Sequence, residues 1–167
     1  MKNAIPSSEL IINADGSIFH LHVKPQQLAD TVILVGDPGR VPLVAKHFET
    51  KECDISNREF RTITGTFRGK RMTVVSTGIG CDNIDIVLNE LDALANIDFE
   101  TRTVKPTLRS LTVVRIGTCG GLQPFTPIGT YVASAFSIGF DGLLNFYGGR
   151  DAACHLDMEA AFCRHMN

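Results

Sequence analysis

The sequence predicts an α/β fold with a central mixed, largely parallel sheet flanked by helices. Three stretches carry that prediction. Thr31-Val32-Ile33-Leu34-Val35 is an apolar run that enters Gly36-Asp37-Pro38-Gly39-Arg40 and then a helical pattern. Arg71 to Ser76 enters a second glycine turn, Thr77-Gly78-Ile79-Gly80, again followed by a helical pattern. Leu111 to Ile116 enters a third, Gly117-Thr118-Cys119-Gly120-Gly121. Alternating strands and helices of this kind build a sheet of parallel strands joined by crossovers.

Taken in order, Ser17 to Val23 alternates in the manner of a short strand, and Thr31 to Val35 reads as a buried one. Val41, Val44, Ala45 and Phe48 then fall at helical spacing, with Pro42 tolerated in the first turn. Glu59 to Phe67 and Arg71 to Ser76 form a hairpin around Arg68-Gly69-Lys70. Asp82 or Asn83 can cap the next helix, whose buried stripe is Ile84, Val87, Leu88, Leu91 and Ala95. Ile97 to Ser110 is polar, carries Pro106 and reads as an exposed connection. Leu111 to Ile116 is the key strand, and Gly129 to Ile138 is expected to be another. A last helix is expected from near Asp151, with Leu156, Ala160 and Cys163 on one face. No repeat, low-complexity segment or linker interrupts 1–167, so the stretch reads as a single domain.

A chain of 167 residues can bury a real core. Its net charge of −2 leaves no broad basic surface for nucleic acid, so any anion site must be local. No apolar run approaches the roughly 20 residues of a membrane span. Met1 to Ser17 lacks the apolar centre of a signal peptide. Five cysteines without Cys-x-x-Cys spacing argue against a disulfide framework or a zinc site, and for a reducing compartment. The expected location is the cytoplasm.

Arg40 and Arg115 are the leading functional candidates. Each stands beside a glycine turn at the end of an apolar strand, where a buried arginine needs an anion or a buried carboxylate. Two structural salt bridges are the alternative. Phosphate suits a guanidinium because the planar fork of donors matches its oxygens. Gly36 and its loop would add backbone N–H donors, and Thr118 a hydroxyl. Gly78-Ile79-Gly80 imitates a dinucleotide fingerprint, but Asn83 stands where the third glycine belongs, so a close strand-to-helix turn fits better. Cys119 fits a Gly-x-Cys-x-Gly nucleophile elbow, with His155 and Asp157 as base and orienter of an amidase. Pro124 and Pro127 stand against that reading, since an elbow needs a helix directly after its nucleophile. The five histidines lack metal-ligand spacing.

Together these segments resemble the nucleoside phosphorylase family of the uridine phosphorylase and hexameric purine nucleoside phosphorylase type, uridine phosphorylases more closely. The matching segments, in family order, are Phe19-His20-Leu21, Gly36-Asp37-Pro38-Gly39-Arg40, Arg58-Glu59-Phe60, Ser76-Thr77-Gly78-Ile79-Gly80, Arg115-Ile116-Gly117-Thr118-Cys119-Gly120 and Asp141-Gly142. The resemblance implies a three-layer fold and reversible phosphorolysis of a nucleoside, most simply uridine, to free base and ribose 1-phosphate. It implies no organic cofactor, with inorganic phosphate as co-substrate. Gly36, Arg40, Arg115 and Thr118 would hold phosphate, with Arg115 and Thr118 at the catalytic centre. Arg58 would reach a neighbouring subunit's phosphate, and His20 a neighbour's ribose 5′-hydroxyl, in a dimer or trimer of dimers with shared sites. Cys119 and Gly120 would line the nucleoside side. Glu59, Ile79 and Asn83 fall where some relatives bind a monovalent cation, with Asn83 replacing the usual serine. Cys119 stands where hexameric purine phosphorylases commonly have cysteine, so the base stays open. Family members are longer, and the Glu-Met-Glu-type ribose segment and the base-handling residues of their C-terminal half have no counterpart in 1–167. The resemblance therefore implies an N-terminal portion, and a non-catalytic nucleoside- or phosphate-binding relative is the alternative reading.

Overall fold

A computed structural model describes residues 4–166, which divide into two compact units, one running to Gly120 and one from Gly121. The first holds β1 (Thr31–Val35), α1 (Arg40–Ala45), β2 (Thr50–Asn57), β3 (Phe60–Phe67), β4 (Lys70–Ser76), α2 (Cys81–Asn96), β5 (Ile97–Asp98), β6 (Thr103–Val104) and β7 (Thr112–Arg115). Five strands form one mixed sheet in the order β2-β3-β4-β1-β7. β1 lies between two parallel partners, running Thr31↔Met72 to Val35↔Ser76 against β4 and Thr31↔Thr112 to Leu34↔Arg115 against β7. β2, β3 and β4 form an antiparallel meander. The expected hairpin at Arg68-Gly69 is present, and both residues have positive φ (50° and 73°), as a two-residue turn matching the strand twist requires.

Alternation along β1 sorts the core into two layers. Val32 and Leu34 pack with Val75, Phe60 and the α2 residues Val87, Leu91 and Leu94, joined by Ile18, Leu21 and Val23 from the N-terminal segment. Val35 packs on the other side with Val41 and Ala45 of α1, Ile63 and Val74. The sheet is thus covered on both faces around β1.

Several expectations are corrected. Ser17 to Val23 is a tight turn rather than a strand, closed by Ile18 N–H donating to the Val23 carbonyl (2.9 Å), with His22 at φ 54°. Its buried residues Ile18, Leu21 and Val23 imitate alternation, but the pairing there is a single antiparallel bridge between Ile18 and Ile12. β2 was not legible, because Thr50–Asn57 is an edge strand of mostly polar residues, with Ile55 alone reaching the core. α2 is not capped by Asp82 or Asn83: Gly80, at φ 99°, leads into it, and the Asn83 amide is engaged elsewhere. On α2, Leu88 is exposed while Ala93 and Leu94 are buried. The 97–110 connection contains β5 and β6 and is tied down, with Lys105 Nζ donating to the Ala95 carbonyl at the end of α2 (2.9 Å) and Arg109 paired with Asp30. β7 is present but exposed along its length, so Arg115 does not end a buried run.

Among its described residues the second unit contains no strand. Gly129 to Ile138 forms no ladder, and Tyr131, Val132, Phe136 and Ile138 are exposed. The expected last helix is two, α3 (Arg150–Ala153) and α4 (Leu156–Met166), because His155 Nδ1 accepts from Met158 N–H (3.3 Å) and starts α4 anew. Leu156, Ala160 and Cys163 are exposed, and Phe162 packs against Phe140 instead. No helix of the described residues is long and apolar enough to cross a membrane.

Charge pairs tie the β2 edge to the sheet. Arg61 holds Asp54 below the usual carboxylate range by hydrogen bonding, and Arg71 does the same to Glu52. A depressed folded-state pKa stabilises above the unfolded value, and that gain is lost as pH falls through the folded one. These pairs are half-exposed, so each is expected to contribute below about 1 kcal/mol. Urea melts of Arg61→Ala and Arg71→Ala should therefore show a slightly blunted loss of stability on acidification compared with the unaltered chain.

Candidate functional site

The carboxyl ends of β1, β4 and β7 lie side by side, and each enters a glycine turn. Their ladders continue past the strands: Thr77 N–H donates to the Val35 carbonyl, Gly78 N–H to Gly36 and Ile116 N–H to Leu34, at 2.8, 2.8 and 2.9 Å. The three turns therefore leave the sheet together and enclose an open cleft of about 650 Å³. Gly36, Asp37, Pro38 and Arg40 line it from the first turn, Gly78, Ile79, Gly80, Asn83 and Ile84 from the second, and Arg115, Gly117 and Thr118 from the third. Glu59, from the β2–β3 turn, completes it. Crevices outside the carboxyl ends of parallel strands are where open α/β sheets bind ligands.

The Arg115 guanidinium lies against two of these glycines. A methyl group on Gly117 would stand 2.6 Å from its Nη1, and one on Gly36 3.9 Å from its Nη2. Arg40 begins α1 and is half-buried, with its backbone N–H donating to the Asp37 carbonyl (3.0 Å). At six residues α1 is too short to add much of a helix dipole, so the donors here are those of the loop and the two guanidinia.

The cleft also holds two carboxylates, each already engaged. Asp37 Oδ1 accepts from Gly39 N–H (2.8 Å), and Glu59 Oε1 from Asn83 Nδ2 (3.0 Å). Among the described residues Arg61, Arg71, Arg109 and Arg150 form ion pairs, and Arg40 and Arg115 form none. The salt-bridge alternative therefore has no carboxylate partner for either arginine among the described residues, and the exposure of β7 means that desolvation does not force a partner on Arg115.

Asn83 Nδ2 also donates to the Ile79 carbonyl (3.1 Å). Asn83 Nδ2 thus already reaches Glu59 Oε1 and the Ile79 carbonyl oxygen, two of the oxygens on which a monovalent cation there would draw. Asn83 also crowds Gly78, where a Cβ would come within 2.8 Å of Nδ2 at a backbone φ of 67°.

The remaining expected site residues lie outside the cleft lining. Cys119 is exposed, and Gly120 has no neighbour within 4 Å of where a Cβ would stand. No helix follows Cys119 before residue 143, so the elbow required by an amidase is absent. His20 and Arg58 share a different cluster. Arg58, at φ 54°, lies over the Phe19 ring (5.7 Å), and Phe19 meets His20 edge to face (4.8 Å). Of the cleft residues, Asp37, Pro38, Gly78, Gly80 and Gly117 were read as parts of the glycine turns and Ile84 as part of the helix stripe, with no site role of their own; the signal for one lay in the shared strand-end position of the three turns.

Residues 30–167 match the family model of the phosphorylase superfamily. The chain belongs to the nucleoside phosphorylase family. It is 30% identical to the uridine phosphorylase of Thermococcus kodakarensis over 153 residues, which are 92% of this chain and 50% of that one. It is also 36% identical over 106 residues to the DeoD-type purine nucleoside phosphorylase of Thermoanaerobacter sp., covering 63% and 40%. Among solved structures it matches a Trypanosoma brucei nucleoside phosphorylase with uridine phosphorylase activity, at TM-score 0.63 and 38% identity, over 71% of this chain and 41% of that one. The mixed sheet flanked by helices is thus the nucleoside phosphorylase fold. The chain spans about half the length of the curated relatives it matches.

Proposed function

We propose that this protein catalyses the reversible phosphorolysis of a nucleoside, uridine the favoured substrate, in the cytoplasm. The observation that carries the reading is the convergence of Arg40, Arg115 and three glycine turns in one cleft, with both cleft carboxylates already engaged. Phosphate is held there by the two guanidinia, the Gly36 loop and the Thr118 hydroxyl. One phosphate oxygen attacks the anomeric carbon as the glycosidic C–N bond breaks, and the bonding pair leaves with the base, which takes its proton from solvent. Positive charge builds on the ribose ring in such displacements, so a fixed dianion is both nucleophile and counter-charge. No step passes through a cation. Exchanging potassium for a bulky quaternary ammonium ion is expected to leave the melting temperature of the chain unchanged, and a potassium-dependent rise would establish a cation site at Glu59.

His20 and Arg58 serve a neighbouring copy of the chain, a role supported by their position outside the cleft lining and by the family membership. Cys119 and Gly120 face the nucleoside without chemistry of their own. Cys119→Ala is therefore expected to keep phosphate affinity and most turnover, whereas a thiolate mechanism would lose nearly all turnover. The deciding assay is base release from uridine, inosine and their 2′-deoxy forms, with and without phosphate. Release that requires phosphate and favours uridine supports the reading, and release independent of phosphate overturns it. Faster inosine cleavage would favour the purine alternative, for which the identity to the purine enzyme is the supporting observation.

A further inference from the structure

Among the described residues, the carboxylate of Glu90, on α2, is held by the N-terminal segment rather than by any arginine or lysine. Its Oε1 accepts from His20 N–H (3.0 Å) and lies 2.7 Å from His20 Nδ1, while Oε2 accepts from Leu21 N–H (2.9 Å). Both side chains are largely shielded, at 27% exposed for His20 and 12% for Glu90. An ionised carboxylate offers acceptors only, so the proton of this contact sits on Nδ1. Asn57 Nδ2 donates to the His20 carbonyl (2.8 Å), and Phe19 and Phe60 meet the imidazole edge to face at 4.8 and 6.4 Å. The ring is therefore fixed on its backbone, its faces and its Nδ1. Among the described residues no hydrogen bond reaches Nε2.

We infer that Glu90 is a positioning residue: it locks His20 in the Nδ1–H tautomer and leaves the Nε2 lone pair to accept from the 5′-hydroxyl of a nucleoside in a neighbouring copy. Which imidazole nitrogen carries the proton is set by the hydrogen bond that the other nitrogen makes. Without Glu90, Nε2–H competes, and a second donor would then face the hydroxyl. The tautomer stands on this chain alone; the hydroxyl as its target rests on the phosphorylase reading.

Two readouts separate those parts. Long-range ¹H–¹⁵N spectra of the histidine-labelled chain, at a pH where the rings are neutral, report the tautomer, with His20→Gln identifying the signal. The Nδ1–H pattern is expected in the unaltered chain and in Glu90→Gln, whose amide oxygen still accepts, and a shift toward Nε2–H is expected in Glu90→Ala. An Nε2–H ring in the unaltered chain, or no change in a folded Glu90→Ala, overturns the proposal. If Glu90→Ala does not fold, the unaltered chain and Glu90→Gln still decide it. In phosphorolysis, Glu90→Ala is expected to reduce the preference for uridine over 5′-deoxyuridine by about tenfold, through KM rather than kcat. An unchanged preference overturns the hydroxyl contact while leaving the tautomer standing. Absence of phosphorolysis in the unaltered protein overturns the phosphorylase reading without touching the spectra.

Discussion

Replacing Arg115 by alanine is expected to weaken phosphate binding by about 10- to 150-fold, equivalent to about 1.5–3 kcal/mol for a charge-assisted contact. The guanidinium lies against Gly36 and Gly117, forms no ion pair among the described residues and opens onto the cleft, so its donors are available to an anion. Arg115→Lys should recover only part of the loss, because an ammonium keeps the charge without the planar fork. Titration calorimetry with inorganic phosphate measures both. Because β7 is exposed, neither substitution should unfold the chain, and thermal melts without phosphate should superpose. Equal phosphate affinity in the alanine variant and the unaltered chain would remove Arg115 from the site, and with it half the positive charge of the cleft.

A second large effect is expected at a position without chemistry. Gly65 lies in β3, between Lys51 of β2 and Met72 of β4. A methyl group there would run into the Thr50 carbonyl oxygen and stand 2.7 Å from Phe48 Cδ2. Phe48 can rotate, but the Thr50 carbonyl is backbone and yields only if β2 moves. Gly65→Ala is therefore expected to cost about 1–3 kcal/mol or more, the range for overpacking a well-packed interior. Gly120→Ala, where nothing lies within 4 Å, is the matched control and should be near neutral. Midpoints of urea denaturation for the two variants test the contrast, and equal midpoints would show that the strands at Gly65 are loosely held.

What the sequence disclosed followed from local physics. The apolar run Thr31 to Val35 could only be a buried strand, and Arg68-Gly69 announced its own hairpin. All three glycine turns were visible, and with them Gly36, Arg40, Arg115 and Thr118. Longer-range facts were not. β2 hides because its partners supply its order: Asp54 and Glu52 are paired by Arg61 and Arg71 from β3 and β4. Gly129 to Ile138 misled because extended propensity makes a strand only when a ladder is there to receive it. Asn83 looked like a cap, yet its amide goes to Glu59, a partner 24 residues away that no local pattern announces. Glu90 was overlooked altogether, since the donors to its carboxylate come from some 70 residues upstream.

The place of β1 in the sheet has a kinetic consequence. The meander of β2, β3 and β4 is built from neighbours in sequence and can form quickly through local contacts. β1 must then pair with β4, and afterwards with β7, whose partner residues lie 81 positions away, Thr31 against Thr112. Pairings of such separation are slow, because loop-closure entropy opposes them before any contact compensates. Since the cleft sits where β4, β1 and β7 end together, anion binding should be the last property to appear on refolding. Stopped-flow refolding would then find phosphate capture trailing the recovery of most secondary structure, and substitutions in β7 would slow the first without changing the second.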